Sequence, residues 1–329
     1  MVMEKSKRII RLTRSNMNKY GIKYSILYLW YKITRNDEKR IELMMGYLKQ
    51  ELKDLIDKFN NEYGKTCKSE NESVVKNVWV CWWQGYTDMP EICKCCLKSL
   101  EQHLYSDARL HFVTLDNYQN YVDIPKSVMN LYREKKISLT ILSDVLRSCL
   151  LAQYGGLWID STMLVTDAID FSEFKEKKWW SIKLPASKLD RESFGQKITK
   201  GNWASFIQYG IKGNVVNRFL YESFQLFLEK YEEPIDYFMQ NLIIKLAFEN
   251  LEEAKHIFSE LEISNEGVYD LYRRIDEAYD DKEWTNLVRK TKFHKLTWKN
   301  IYSKKTEKGI QTYYGYVTNK YNEKKNYFD

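Results

Sequence analysis

The chain has 329 residues, enough for one large domain or for one domain with a helical annex. Hydrophobic residues make up 44% of it and aromatic residues 15%, which excludes a disordered protein. The net charge of +7 comes from 52 basic and 45 acidic side chains, a mixed surface that suits anionic small ligands or an anionic membrane face; with no nucleic-acid motif present, nucleic acid is not an expected partner.

Residues 1–66 read as helical. The start is basic (Lys5, Lys7, Arg8, Arg11, Arg14, Lys19, Lys23), and the most apolar run follows it at residues 24–31. That run is far shorter than the ~20 residues needed to cross a bilayer. It suits either an amphipathic contact with an anionic membrane surface or an ordinary helix packed on the main domain. With no secretory signal and no spanning segment, the expected location is the cytoplasm, with a peripheral seat on the inner face of the cell membrane under the first option. The clearest helix covers residues 37–60, where Ile41, Met44, Leu48, Leu52, Leu55 and Phe59 recur at helical spacing. A polar break at residues 64–73 sets the expected boundary between a helical region, 1–66, and the main domain, 67–329.

The main domain opens with a strand at residues 78–83, stopped by Gln84-Gly85. Pro90 starts a helix carrying Cys93, Cys95 and Cys96. A zinc site would need a second ligand pair at a recognised spacing, so these thiols read as small hydrophobes, reduced in a cytosolic protein. Residues 109–115 form a second strand. Helix 139–153 follows, with Leu142, Leu146, Cys149 and Leu150 as its apolar face, and it ends at Tyr154-Gly155-Gly156, where glycine admits a positive φ. Strand material flanks Asp160-Ser161-Thr162. Residues 171–213 are mixed and carry Trp179, Trp180 and Trp203. Two helices follow, one over residues 216–231 and one from just after Pro234 to about Asn250. Residues 251–290 are charged and helical. The order strand, helix, strand, helix predicts an α/β fold that begins with a parallel sheet.

Chemistry concentrates at residues 143–162. Asp144 and Arg147 lie one turn apart on one helix face. A surface ion pair is one reading of them. The otherwise apolar helix and the glycines after it favour the other, in which arginine holds paired oxygens and aspartate accepts from sugar hydroxyls. Asp160 ends a short apolar strand. There it is either a turn residue capping Ser161 or Thr162, or a buried carboxylate that needs a cation or a hydroxyl pair, placed where open α/β sheets bind ligands.

This region resembles the GT-A glycosyltransferases whose motif runs Ser-Asp-x-x-Arg and then Tyr-Gly-Gly-x-aromatic-x-Asp-x-Asp, a group that includes the family 32 enzymes and the large clostridial glucosylating toxins. It is more similar still to the bacterial capsular polysaccharide synthesis proteins. The shared features are Trp82-Trp83-Gln84-Gly85, Ser143-Asp144-x-x-Arg147, Gly155-Gly156-Leu157-Trp158-Ile159-Asp160-x-Thr162, Ile235-Asp236-Tyr237-Phe238 and His294-Lys295-Leu296-Thr297. The resemblance covers about residues 75–300 and leaves 1–66 outside.

The resemblance implies a GT-A-like mixed sheet flanked by helices, with an N-terminal helical annex. It implies transfer of a hexose from a UDP-sugar to a hydroxyl of an oligosaccharide linked to a lipid such as undecaprenyl diphosphate, with retention. Trp82, with Trp83 and Gly156 beside it, would line the nucleotide-sugar site, Trp82 stacking on the base while Trp79 fills the core. Asp144 and Arg147 would hold the donor sugar and its diphosphate, and Asp160 the ribose or a metal. His294 would approach the metal or the diphosphate, or else be a structural histidine. Asp236 and Gln240 would lie on the acceptor side, with Asp236 equally suited to start a helix. The chain departs from the motif at Thr162, which stands where the wider group has a second aspartate. A hydroxyl is a weaker ligand than a carboxylate for Mn²⁺ or Mg²⁺, so the resemblance implies a divalent ion that Thr162 would hold poorly, or its replacement by Arg147 and lysines. A toxin-like protein glycosyltransferase and an inactive sugar-binding or scaffold subunit are the competing readings.

Overall fold

The computed structural model describes residues 36–63 and 74–321, together with Met17, Gly21, Ser25 and Leu29. Apart from those single positions, the basic start, the apolar run 24–31, the break at 64–73 and Cys67 lie outside the described residues. Two helices come first, α1 (Asp37–Glu51) and α2 (Lys53–Tyr63). The Asn36 side chain caps α1 by accepting from the Lys39 N–H at 3.0 Å, and Asp37 and Glu38 sit favourably in its first turn. The periodicity predicts one helix here; the chain instead breaks at Leu52. The break lets α1 lie along one helix of the main domain and α2 along another, so Ile41, Met44, Leu48, Leu55 and Phe59 all reach the same core.

The main domain continues with β1 (Asn77–Cys81), α3 (Glu91–Gln102), β2 (Arg109–Val113), α4 (Lys126–Arg133), α5 (Leu139–Gln153), β3 (Gly156–Ile159) and β4 (Met163–Val165). Then come β5 (Trp179–Ser181), α6 (Phe194–Thr199), β6 (Ile207–Gly210), α7 (Val215–Tyr231) and α8 (Met239–Asn250). The last elements are α9 (Glu252–Ser259), α10 (Asp270–Arg274), α11 (Asp281–Lys290), β7 (Phe293–Lys295) and α12 (Tyr313–Tyr321). Five strands form a mixed sheet in the order β2-β1-β3-β6-β5. β1 runs parallel to both β2 and β3, as the element order predicts, whereas β6 and β5 add antiparallel pairs from the stretch that reads only as mixed. β4 and β7 form a separate antiparallel pair. The fold is thus α/β, a mixed sheet between helical layers.

Strand alternation divides the core between the two faces of the sheet. Trp79, Cys81 and Trp158 face α5, α7 and the two N-terminal helices. Val78, Val80, Leu157 and Ile159 face α3 and its three cysteines, together with α12. Cys93 and Cys95 are buried, and burial pushes their thiols up to about 12, which suits packing rather than reactivity. α8 starts later than Pro234 predicts. Asp236 accepts from the Phe238 N–H at 3.0 Å and so closes a turn ahead of the helix.

The double glycine is a steric requirement. Gly155 (φ +67) ends α5, and Gly156 (φ +104) begins β3 where it crosses β1 closely. A Cβ on Gly156 would stand 2.4 Å from the Asn77 carbonyl oxygen, a backbone atom locked in the sheet. Gly156→Ala should therefore destabilise the protein by about 2–4 kcal/mol in urea unfolding, through strain and overpacking together. Gly309→Ala, also at positive φ (+78) but with open space around it, should cost only about 1 kcal/mol. Equal losses would contradict this account of the β1–β3 crossing.

Candidate functional site

A cavity of about 430 Å³ opens where several elements end together. β1 delivers Trp82 and Trp83, and β3 delivers Asp160 and Thr162. The first three turns of α5 supply Ser143, Asp144 and Arg147, and the exit of β7 supplies Lys295 and Trp298. β1 and β3 are parallel, so the cavity lies at the carboxyl ends of parallel strands, the usual ligand position in open α/β sheets.

Arg147 is the hub of the cavity. It is 4% exposed and bonds three side chains from three elements. Its Nη1 donates to Asp144 Oδ1 at 2.8 Å and to Gln240 Oε1 of α8, and its Nη2 donates to Asp160 Oδ1 at 3.2 Å. The guanidinium also lies over the Trp158 ring, 4.7 Å from its centroid, a cation–π contact in a desolvated place. Arg147 is thus spent mainly on holding the two acids.

Asp160 is held at both oxygens while its side chain stays 28% exposed. Trp158 Nε1 donates to Oδ1 at 2.9 Å, and Lys295 Nζ donates to Oδ2 at 2.9 Å. Lys295 also donates to Thr162 Oγ1 at 2.7 Å. Burial would raise the Asp160 carboxyl, but Lys295 and Arg147 outweigh it and hold the group below the usual carboxylate range. Asp144 has a single cationic partner and lies deeper. Burial pushes its carboxyl up to about 6 against the pull of Arg147, and the charge of Asp160 adds to the rise.

Trp82 lines the cavity half-buried and meets Trp298 edge-on, with ring centroids 5.7 Å apart. Its indole N–H is buried and has no partner among the described residues, so it is a donor placed for a ligand. Trp83, by contrast, is 5% exposed and ties β1 to α5 through a 2.8 Å bond from its Nε1 to Ser143 Oγ. Trp79 is a core residue that donates to the Gly155 carbonyl and stacks on His111.

Three residues expected at the ligand stand elsewhere. Gly156 lies at the opposite end of β3 from Asp160, where its part is the close crossing with Asn77. His294 is fully buried and pairs with Leu164 in the strand register; its Nε2 meets Thr166 Oγ1 at 3.1 Å. Burial pushes its imidazole down to about 4, so it is neutral near pH 7. Asp236 is bound to Arg40 of α1, which stacks on Phe194, so its carboxylate serves the seam between α1 and α8 rather than an acceptor. Gln240 does belong to the cluster, but as a buried support for Arg147. Sequence reasoning missed Lys295, the immediate neighbour of His294. Adjacent strand residues face opposite ways, so a strand that buries His294 must present Lys295. It also missed Tyr237 and Trp298, which are 52% and 46% exposed at the mouth of the cavity.

The donor set does not fit a divalent ion. Asp160 brings the one carboxylate beside Thr162, and both of its oxygens already accept from cationic groups. The histidine expected to help is a fully buried residue of β7 itself. Among the described residues no group of three or more His, Cys, Asp and Glu side chains is arranged to hold a metal.

Residues 25–317 match the family described as capsular polysaccharide synthesis protein. The match begins well before residue 75, so it takes in α1 and α2, which the resemblance at the motifs alone leaves outside. Among solved structures the chain is similar to the apo form of the bifunctional glycosyltransferase WbbM, with 10% identity, a TM-score of 0.43, and coverage of 76% of this chain and 50% of that one. It is also similar to the galactosyltransferase LgtC in complex with donor and acceptor sugar analogues, with 10% identity, a TM-score of 0.38, and coverage of 76% of this chain and 97% of that one. The chain thus spans about half the length of WbbM. No curated protein matches it.

The raised Asp144 carboxyl has a consequence for stability. Its folded value, about 6, lies above its ordinary 3.8, so between these values the folded state binds the extra proton. The stabilisation it contributes is complete below pH ~4 and is lost as pH rises through about 6. Urea unfolding of the wild type from pH 4 to 7 should show this loss relative to Asp144→Asn, which has no carboxyl there. A pH-independent difference between the two proteins would contradict the burial of Asp144 as a strained acid.

Proposed function

The chain belongs to the capsular polysaccharide synthesis protein family, and on that premise we propose a glycosyltransferase that moves a hexose from a UDP-sugar to a hydroxyl of a lipid-linked oligosaccharide, with retention. The observation that carries this reading is the meeting of Asp144, Arg147 and Asp160 at the carboxyl ends of β1 and β3, in a cavity walled by Trp82. A carboxylate pair bridged by a buried arginine offers fixed acceptors to sugar and ribose hydroxyls. The Trp82 face offers a platform for the base, and its indole N–H a further donor.

In the transfer, the acceptor oxygen bonds to the anomeric carbon as the bond from that carbon to the β-phosphate oxygen breaks. The electron pair leaves with UDP. In same-face attack the hydroxyl proton passes to the departing phosphate oxygen, so no separate strong base is required. The exposed rings of Tyr237 and Trp298 at the cavity mouth suit stacking against the acceptor's sugar rings. Among the described residues no helix is long and apolar enough to cross a membrane. A lipid-linked acceptor is reached from a peripheral position at the inner face of the cell membrane, with the basic N-terminal segment supplying the attraction to anionic lipid.

Purified protein incubated with a panel of UDP-hexoses and a lipid-linked oligosaccharide should release UDP. Asp160→Ala should lower the rate by about 10²-fold or more, the scale of losing a directing polar group in a preorganised site. Trp82→Ala should mainly raise the KM for the donor, since stacking is made equally in ground and transition states. Binding of UDP-hexoses without turnover would instead favour a sugar-binding scaffold subunit.

A further inference from the structure

We infer that Lys295 is the cation that neutralises the departing nucleoside diphosphate, acting in the place where a divalent ion held by two acids would act. The inference rests on the nucleotide-sugar reading above and specifies how that site manages charge. Lys295 Nζ bridges Asp160 Oδ2 at 2.9 Å and Thr162 Oγ1 at 2.7 Å. It therefore occupies the gap between the strand-end acid and the residue two positions on, where a metal would be chelated if both were carboxylates. A hydroxyl in place of an acid weakens a metal site but makes a good acceptor for an ammonium.

The charge count points the same way. Asp144 and Asp160 are balanced by Arg147 and Lys295, so the cluster is neutral as it stands. A doubly charged ion bound at Asp160 would lie within a few ångströms of both cationic side chains and be repelled by them. Lys295 is suited to the task by its number of donors. An ammonium carries three, and Asp160 and Thr162 take two, which leaves one for a phosphate oxygen in the cavity that Lys295 lines. The Phe206 ring, 4.9 Å from Nζ, covers another side and fixes the position of the charge. Arg147 keeps an unpartnered donor, its buried Nε, but its side chain is only 5% exposed against 21% for Lys295, so of the two cations Lys295 is the more open to the ligand.

Calorimetric titration with UDP and with uridine, in EDTA and then in Mn²⁺, tests this. Wild-type protein should bind UDP in EDTA and more tightly than uridine, with little change on adding Mn²⁺. Lys295→Met should weaken UDP about 10-fold or more, the scale of one charge-assisted hydrogen bond, and leave uridine within about twofold. Lys295→Arg should recover part of the loss. UDP binding that vanishes in EDTA and returns with Mn²⁺ would overturn the role of Lys295 while leaving the nucleotide reading intact. Loss of uridine and UDP together in Lys295→Met would reduce Lys295 to a structural brace and overturn it as well. No binding of UDP or uridine by wild type, with or without Mn²⁺, would sink the nucleotide reading and this inference with it.

Discussion

A buried guanidinium between two carboxylates is the constraint on which the rest of the site depends. Arg147 and Asp144 come from α5, Asp160 from the end of β3 and Gln240 from α8. Taking these charges out of water is costly, and the arrangement persists because each charge has a partner. Removing the arginine alone would leave Asp144 in a desolvated place without a cationic partner, a loss of about 3–5 kcal/mol for a broken buried pair. The network can form only if α5 ends abruptly and β3 begins at once beside β1. Gly155 and Gly156 meet that demand, with positive φ and no room for a side chain at either.

Much of this was legible from the sequence because it rests on local rules. Helix 139–153 appears at the predicted bounds, with Ser138 as its cap and glycine as its stop. The strand-end aspartate and the helical Asp–Arg pair meet as their spacing and order suggest. The failures involve longer range. Helical periodicity is blind to the break at Leu52, which exists so that two helices can each find a partner in the main domain. The antiparallel strands β5 and β6 are too short to carry a pattern. Asp236, suited by its place either to the acceptor side or to a helix start, closes the turn before α8 and also bonds Arg40, 196 positions away, which no local rule reveals. The resemblance puts His294 at the metal or diphosphate, or else makes it a structural histidine, and gives Lys295 no role of its own; strand alternation decides which of the two faces the cavity, and that depends on where β4 lies.

With Thr162 in place of an acid, the strand end carries one negative charge rather than two. Lys295 fits against it and closes a local neutral unit with Arg147 and Asp144. The Lys295 ammonium then has one N–H donor left for an acceptor from outside. A nucleoside diphosphate provides it, and the apolar and aromatic walls around Trp82 and Trp298 suit the rest of a nucleotide-sugar. His294 is a buried neutral link between β7 and Thr166.

A crystal structure of the protein soaked with UDP tests the central claim most directly. The account predicts uracil against the Trp82 ring, ribose hydroxyls within hydrogen-bond distance of Asp160 or Asp144, and a phosphate oxygen within that distance of Lys295 Nζ. A second cavity, of about 870 Å³, lies between α1 and residues 189–200 and is lined by Asp37, Arg191 and Lys197. UDP bound there, with the cavity at Asp160 left to solvent, would contradict the account.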